Sequence, residues 1–448
     1  MPVDAPAARA PWWSLLALPL LALGVWTLAT DVPGWDALWY LFAWYSWLLI
    51  VDALVYARAR RSWMAAQGRR LLVLAAWSVP FWYLYEAYNL RLENWYYVFA
   101  LRDDRLQLLV SVLAFATVLP ACLLHAELVA ATGTFAGVRW RPLRVGRRLE
   151  LALAALAVAC IVAPLIWPRQ AFALVWGATL FPCELVNWRR GGESLLRDLS
   201  QGRPRRLLDL LAGGMLAGLA WELFNFWARC KWIYTVPFFD RLKLFEMPLL
   251  GFLGFPVLSL GAFATWSLVE WALGPTAATG GRPRQQLRRG VAIAVWLVAA
   301  LACWKVYQHA LGHTVRSRRP LLQELAALGA DDALRLAGAG ISTPERLVRA
   351  VERQGVAGLA AAAHLPPALV AGAAAQSRLA LHKGMGTRAA GQLAAVGVDD
   401  VATLGRRDPE QLAALLRALG DATGEDVPRL VEVRVWVEAA RGRTRPRR

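Results

Sequence analysis

Glu222 and Asn225 stand three residues apart inside the apolar run WELFNFW, and Glu86 and Asn89 repeat the pair 136 residues earlier. A spacing of three places both side chains on one helix face, within hydrogen-bonding reach of each other. A carboxylate about 9 Å inside the end of a bilayer-embedded helix costs on the order of 2.5–3.5 kcal/mol. It survives there by facing a bundle interior, by finding a partner, or by taking up a proton. Two such groups brought together cannot both ionise easily, and the one that keeps its proton is a general acid or a station in a proton relay. Glu86, Glu222, Asn89 and Asn225 are therefore the candidate catalytic residues. The competing reading is symmetric polar glue between helices.

The segments after each pair, 91–105 and 226–243, are dense in Trp, Tyr and Phe. An aromatic belt at the headgroup level explains most of them. The gapless shift of 136 also superposes Asp104 on Asp240, Arg105 on Arg241 and Pro120 on Pro256. Lys231, Arg105 and Arg241 are candidate cations for an anionic headgroup or diphosphate. Trp221, Trp232, Tyr234 and Glu246 complete the candidate substrate-binding set, and a local salt bridge or helix cap is the bland account of the Asp–Arg pairs. Pro120 and Pro256 are expected to kink their helices mid-span. His309 and His313, four apart, are too few to assign a metal, and no cofactor is specified.

These residues need long apolar helices to hold them. Of 448 positions 58% are hydrophobic and 18% charged, which is the composition of a polytopic membrane protein. Nine spans are predicted: 12–30, 36–57, 71–90, 106–131, 149–167, 170–188, 206–228, 244–272 and 291–311. The first also has the look of a signal peptide, with Arg9 ahead of an apolar core. The net charge of +18 collects in alternate loops, among them Arg58–Arg70, Arg139–Arg148, Arg189–Arg206 and Arg282–Arg289. The positive-inside rule puts those loops and the N-terminus in the cytoplasm. Four spans per copy make a parallel duplication, with Asp52 expected on Asn187 at an offset nearer 135. The five Cys fall in or beside apolar runs without paired spacing and are read as packing residues. Five His are too few for a His-rich di-iron oxygenase, and there is no phosphate-cradling Gly loop or Ser-His-Asp set.

KWIYTVPF followed by FEMPLLGFLGF resembles a signature of uncharacterised bacterial polytopic membrane proteins, over about 170–265. No activity comes with that resemblance. Beyond SRRP (Ser317–Pro320) the chain becomes Ala/Leu/Gly-rich and repeats at a spacing of 57, with Gly329 on Gly386 and Gly340 on Gly397. Leu381–Val398 resembles a helix-hairpin-helix, and the two units together resemble a tandem helix-hairpin-helix domain. The resemblance implies an interaction hairpin of Lys383, Gly384, Gly386 and Arg388, whose turn can offer N–H groups to a phosphate. Ala327 in place of the first glycine, mild basicity, and an extracytoplasmic position after nine spans weigh against nucleic acid as partner. The tail with Arg441, Arg443, Arg445, Arg447 and Arg448 reads as disordered.

The fold class expected is all-α: a transmembrane bundle of about nine spans with a parallel four-span duplication, plus a small soluble helical domain. The boundaries are 1–135 and 136–273 for the repeats, 274–319 for the link and ninth span, 320–420 for the helical domain and 421–448 for the basic tail. The expected location is the bacterial cytoplasmic membrane, with membrane lipids as partners and a protein partner for the C-terminal domain. Three functions fit: an enzyme using acid/base chemistry on a lipid or isoprenoid, a proton-coupled lipid or small-molecule transporter, and a non-catalytic scaffold recruiting a partner through its tail.

Overall fold

A computed structural model describes residues 12–30, 34–238, 242–274 and 283–444. Arg9, Asp240, Arg241, Arg282, Arg445, Arg447 and Arg448 lie outside the described residues. The chain divides into two compact units.

The first unit holds α1 (Ala17–Thr30), α2 (Trp39–Ala59), α3 (Trp63–Gln67), α4 (Arg69–Leu92), α5 (Asp104–Phe115), α6 (Val118–Thr132), α7 (Arg147–Ile166), α8 (Pro168–Ala171), α9 (Leu180–Arg190), α10 (Leu195–Ser200), α11 (Arg205–Trp227), α12 (Gly254–Leu273) and α13 (Pro283–His313). Among the described residues, eight helical stretches are long and apolar enough to cross a membrane: Trp12–Thr30, Asp36–Ala59, Asp104–Thr132, Arg147–Ile166, Pro168–Arg190, Arg205–Trp227, Leu249–Leu273 and Pro283–His313. The ninth expected segment, 71–90, is the 24-residue helix α4. It has the length, but Glu86, Asn89 and its tyrosines keep it outside that apolar set.

The two prolines act differently from expectation. Each is the third residue of a new helix: Pro120 in α6 and Pro256 in α12. The first turn of a helix has no intrahelical acceptor for its N–H groups, so proline costs little there and the chain restarts instead of kinking. At the α5–α6 break the Ser78 hydroxyl donates to the Phe115 carbonyl and accepts from Leu119 N–H at 3.0 Å. One side chain thus satisfies groups that the broken ladder leaves open.

Helix α11 packs against both restarted helices through Gly213, Gly214 and Gly218. A Cβ on Gly214 would lie 2.7 Å from Ser259 Cβ and 2.8 Å from the Phe255 carbonyl oxygen. One on Gly213 would overlap the backbone of Ala126 in α6. Gly213→Leu is expected to cost at least 1–3 kcal/mol by overpacking, read as a lowered melting temperature in detergent. Leu216→Ala, on the exposed face of the same helix, is expected to leave that temperature close to wild type.

The second unit comprises 95–104, 229–235 and 312–448. Strands β1 (Trp95–Val98) and β2 (Lys231–Tyr234) pair antiparallel, Trp95 with Tyr234 and Val98 with Lys231. Residues 314–319 add a parallel edge, with Tyr97 N–H donating to the Thr314 carbonyl at 2.7 Å and Ala100 N–H to Ser317 at 3.0 Å. The unit's helices are α14 (Ala330–Gly338), α15 (Pro344–Ala363), α16 (Pro367–Leu381), α17 (Gly386–Ala395), α18 (Val401–Arg406), α19 (Pro409–Thr423) and α20 (Leu430–Thr444), of which α14–α16 form one core and α16–α20 pack with the sheet in another. The stretch expected to be disordered is thus helical through Thr444. Val433, Trp436, Val437 and Ala440 form a buried stripe that closes one core with Tyr96, Val98 and Ile233. Arg434 and Arg441 lie off that stripe, donating to Glu410 and to the Gly405 and Arg407 carbonyls.

Candidate functional site

Glu86 and Glu222 are 2% and 0% exposed, and Asn89 and Asn225 are fully buried. Aromatic rings surround them. Trp82, one turn before Glu86, donates Nε1–H to Glu86 Oε1 at 2.9 Å. The Trp82 ring lies 4.9 Å from that of Trp221, which in turn stands 5.8 Å from Trp44 of α2. Tyr40 of α2 is within electrostatic range of Glu222, and Tyr83 within range of Glu86. Trp39 Nε1–H donates to the Phe224 carbonyl at 3.0 Å. The two carboxylates therefore sit beside one continuous indole layer at the C-terminal ends of α4 and α11.

Asn89 has a local role. Its Oδ1 accepts the Asn94 N–H at 2.9 Å while Glu93 takes a left-handed conformation, so it closes the end of α4. Glu246 is a third buried carboxylate, 3% exposed, in the two-residue turn between β3 (Lys243–Leu244) and β4 (Met247–Pro248). Arg105 is exposed on the first turn of α5. Lys231, Trp232 and Tyr234 belong to β2 in the second unit, so the expected substrate-binding set is spread over both units. Among the described residues no group of three His, Cys, Asp or Glu is placed to hold a metal.

Two further acids escape a reading based on apolar span ends. Asp52 Oδ2 accepts from the Ser62 hydroxyl at 2.6 Å, and its Oδ1 from Met64 N–H at 2.9 Å. Glu184 accepts from the Ser194 hydroxyl and from Leu196 N–H at 2.8 Å. Ser62 and Ser194 are the N-caps of α3 and α10. Asp52 and Glu184 thus make the same kind of bonds, whereas the Asn187 amide donates to the Ala264 carbonyl at 2.8 Å. The sequence signal was a serine ten residues after each acid.

In the second unit the Gly384–Gly386 turn is occupied by the chain itself. A Cβ on Gly384 would fall inside Val98, and one on Gly386 would lie 2.7 Å from Ser317 Cβ. The Ser317 hydroxyl donates to the Gly384 carbonyl. Lys383 is half-buried with φ 49°, and Arg388 is exposed beside Asp426 at 3.3 Å. Arg102 pairs with Glu324 and Arg318 with Asp104, each at 2.6 Å. The Gly340 and Gly397 turns share one pattern, Ile341 N–H to Leu336 and Val398 N–H to Leu393, both at 2.9 Å.

A family model described as a domain of unknown function, DUF4332, matches residues 326–443. The match covers α14 through most of α20 and leaves the first unit untouched. No curated protein and no solved structure matches the chain.

Within the DUF4332 match, Gly386 has φ 81° while Gly329, 57 residues earlier, has φ −77°. Gly386→Ala is expected to destabilise the second unit by roughly 1–2 kcal/mol from the left-handed backbone alone, and Gly329→Ala much less. Hydrogen exchange at α17 in the full chain reads the difference. Burial pushes the Cys230 thiol up to about 12, so at pH 8 almost none of it is thiolate. Its maleimide labelling, followed by peptide mass spectrometry, is expected to be at least about a hundredfold slower than that of a free thiol of pKa ~8.5.

Proposed function

We propose that the chain is a multi-pass membrane protein, built by duplication of a four-span unit, in which Glu86 and Glu222 carry out acid/base chemistry on a lipid or isoprenoid. The observation that carries this reading is the full burial of both carboxylates beside a shared layer of indole rings. A carboxyl group held away from water keeps its proton more readily, and aromatic faces stabilise a cation formed by protonating an alkene.

The membrane part rests on what the helices expose. Helix α13 presents Leu287, Val291, Leu297, Val298 and Leu301 at its surface, and α7 presents Leu151, Val158 and Ile166. Such faces have no role in water and suit acyl chains. The Arg-rich loops then face the cytoplasm, and an odd number of crossings that includes α4 leaves the helical tail outside. The bacterial cytoplasmic membrane is the corresponding location.

Three features support duplication. Shifting β1 by 136 residues gives β2, and the ladder pairs Trp95 with Tyr234 and Val98 with Lys231, so exchanging the copies maps the ladder onto itself. Trp44–Trp221 has a counterpart in Tyr85–Trp176, whose rings are 5.3 Å apart. Asp52 and Glu184 make the same two bonds to a downstream serine and backbone amide. The matched glycine turns 57 residues apart support a tandem helix-hairpin-helix reading of the tail. With the Gly384–Gly386 turn filled by Val98 and Ser317, that hairpin favours a protein contact over a nucleic-acid phosphate.

In a strain lacking this protein, wild-type chain is expected to restore the lipid or isoprenoid profile, and Glu222→Gln to lower turnover by about 10²–10⁴-fold while inserting normally. Untargeted lipidomics reads the outcome. A profile unchanged by deletion rejects the enzyme. A profile restored by Glu222→Gln rejects the acid/base role.

A further inference from the structure

A cleft of about 430 Å³ runs between α4, α12 and α13, within the range of small-molecule sites. Its polar and apolar residues are layered. Arg70 at the start of α4, Glu270 near the end of α12 and Arg289 in the second turn of α13 stand at one end, all reaching solvent. Trp77, Trp266 and Trp296 lie four to seven residues further along the same three helices, roughly 6–10 Å deeper at 1.5 Å per residue. Val73 and Ile293 line the wall between. Trp296 Nε1–H donates to the Ala76 carbonyl at 3.0 Å. That indole thus spends its one polar group on tying α13 to α4, and turns an apolar ring to the cleft.

The charged end carries one surplus positive charge. Arg70 Nη1 and Glu270 Oε1 stand 3.5 Å apart and offset each other. Arg289 makes no ion pair or hydrogen bond among the described residues. Its neighbour Arg288 is engaged elsewhere, 4.5 Å from the centroid of the Trp271 ring. An unpaired guanidinium at the mouth of an apolar cleft suits a phosphate diester, which brings one negative charge and acceptor oxygens for the guanidinium fork. A zwitterionic headgroup brings a cation to the same place and gains less. Arg70 and Arg289 belong to Arg-rich loops, so by the positive-inside rule this mouth opens at the cytoplasmic leaflet. Basic pockets between helices on that side take anionic headgroups.

We infer that this cleft binds an anionic phospholipid, with the phosphate on Arg289 beside the Arg70–Glu270 pair and one acyl chain against Trp77, Trp266 and Trp296. The inference rests on the membrane part of the proposed function. It does not involve the acid/base residues, since Glu86 is sixteen residues, about 24 Å, from Arg70 along α4.

The test is native mass spectrometry of the delipidated full chain in detergent, titrated with palmitoyl-oleoyl phosphatidylglycerol, phosphatidylethanolamine and phosphatidylcholine. Phosphatidylglycerol is expected to bind about tenfold more tightly than the other two. Arg289→Gln, an exposed change that leaves the packing untouched, is expected to bring the three lipids within about twofold of one another. Arg284→Gln removes an exposed charge from the same helix outside the cleft, and is expected to keep the preference. Glycerophosphoglycerol, which has no chains, is expected to compete at least about a hundredfold more weakly. Equal binding of the three lipids, a preference that survives Arg289→Gln, or an equal loss in Arg284→Gln overturns the site. Competition by the chainless headgroup at equal concentration overturns the acyl-chain assignment. Carbonate extraction of native membranes checks the membrane reading separately: an extracted chain overturns that reading, whereas an integral chain without lipid preference overturns the site alone.

Discussion

The close approach of α11 to α6 and α12 is the constraint on which the first unit rests. Glycines at 213, 214 and 218 remove the side chains that would hold these helices apart, and the backbones of Ala126 and Phe255–Pro256 occupy the space. Small residues at a helix interface let backbones approach closely, and such packing joins apolar helices. Its reach is longer than the contact itself. Helix α11 is continuous from Arg205 to Trp227, so fixing its middle fixes Asp209 near one end and Trp221–Glu222 near the other. The Arg205–Asp209 pair and the Trp221 ring of the indole layer thus share one helix position.

Buried polar groups in this unit are handled by economical local devices. Ser78 serves two backbone groups at a helix break. Asp52 and Glu184 each hold the serine cap of a short loop helix, so a cost of burying charge becomes a fixed loop geometry. Glu86 has an indole donor.

Much of this was legible in the sequence. Apolar run length gave the long helices, and the two carboxylates singled out in apolar runs, Glu86 and Glu222, are both buried in helix. The serine ten residues after Asp52 and Glu184 drew no attention in the sequence, because a polar residue in an Arg-rich loop carries no periodic signal. Proline content pointed to interrupted helices, but not to a restart in place of a kink, since that depends on which neighbour satisfies the freed groups. The aromatic segments 95–98 and 231–234 read as an interfacial belt because their partners are more than a hundred residues away. Strand pairing between distant short segments leaves no periodic trace. Trp436 was passed over for a related reason, in a stretch grouped with the Arg-rich residues that follow Ala440.

The sheet of β1, β2 and 314–319 makes the second unit a mosaic of three separated pieces of chain. During synthesis the first two pieces emerge long before the third, and their inward-facing Tyr96, Val98 and Ile233 have no core until α16–α20 are made. Assembly is therefore bound to a late, high-contact-order step. A nascent chain stopped short of that step displays unpaired strand edges to the quality-control machinery, so that degradation can monitor completeness of the polypeptide.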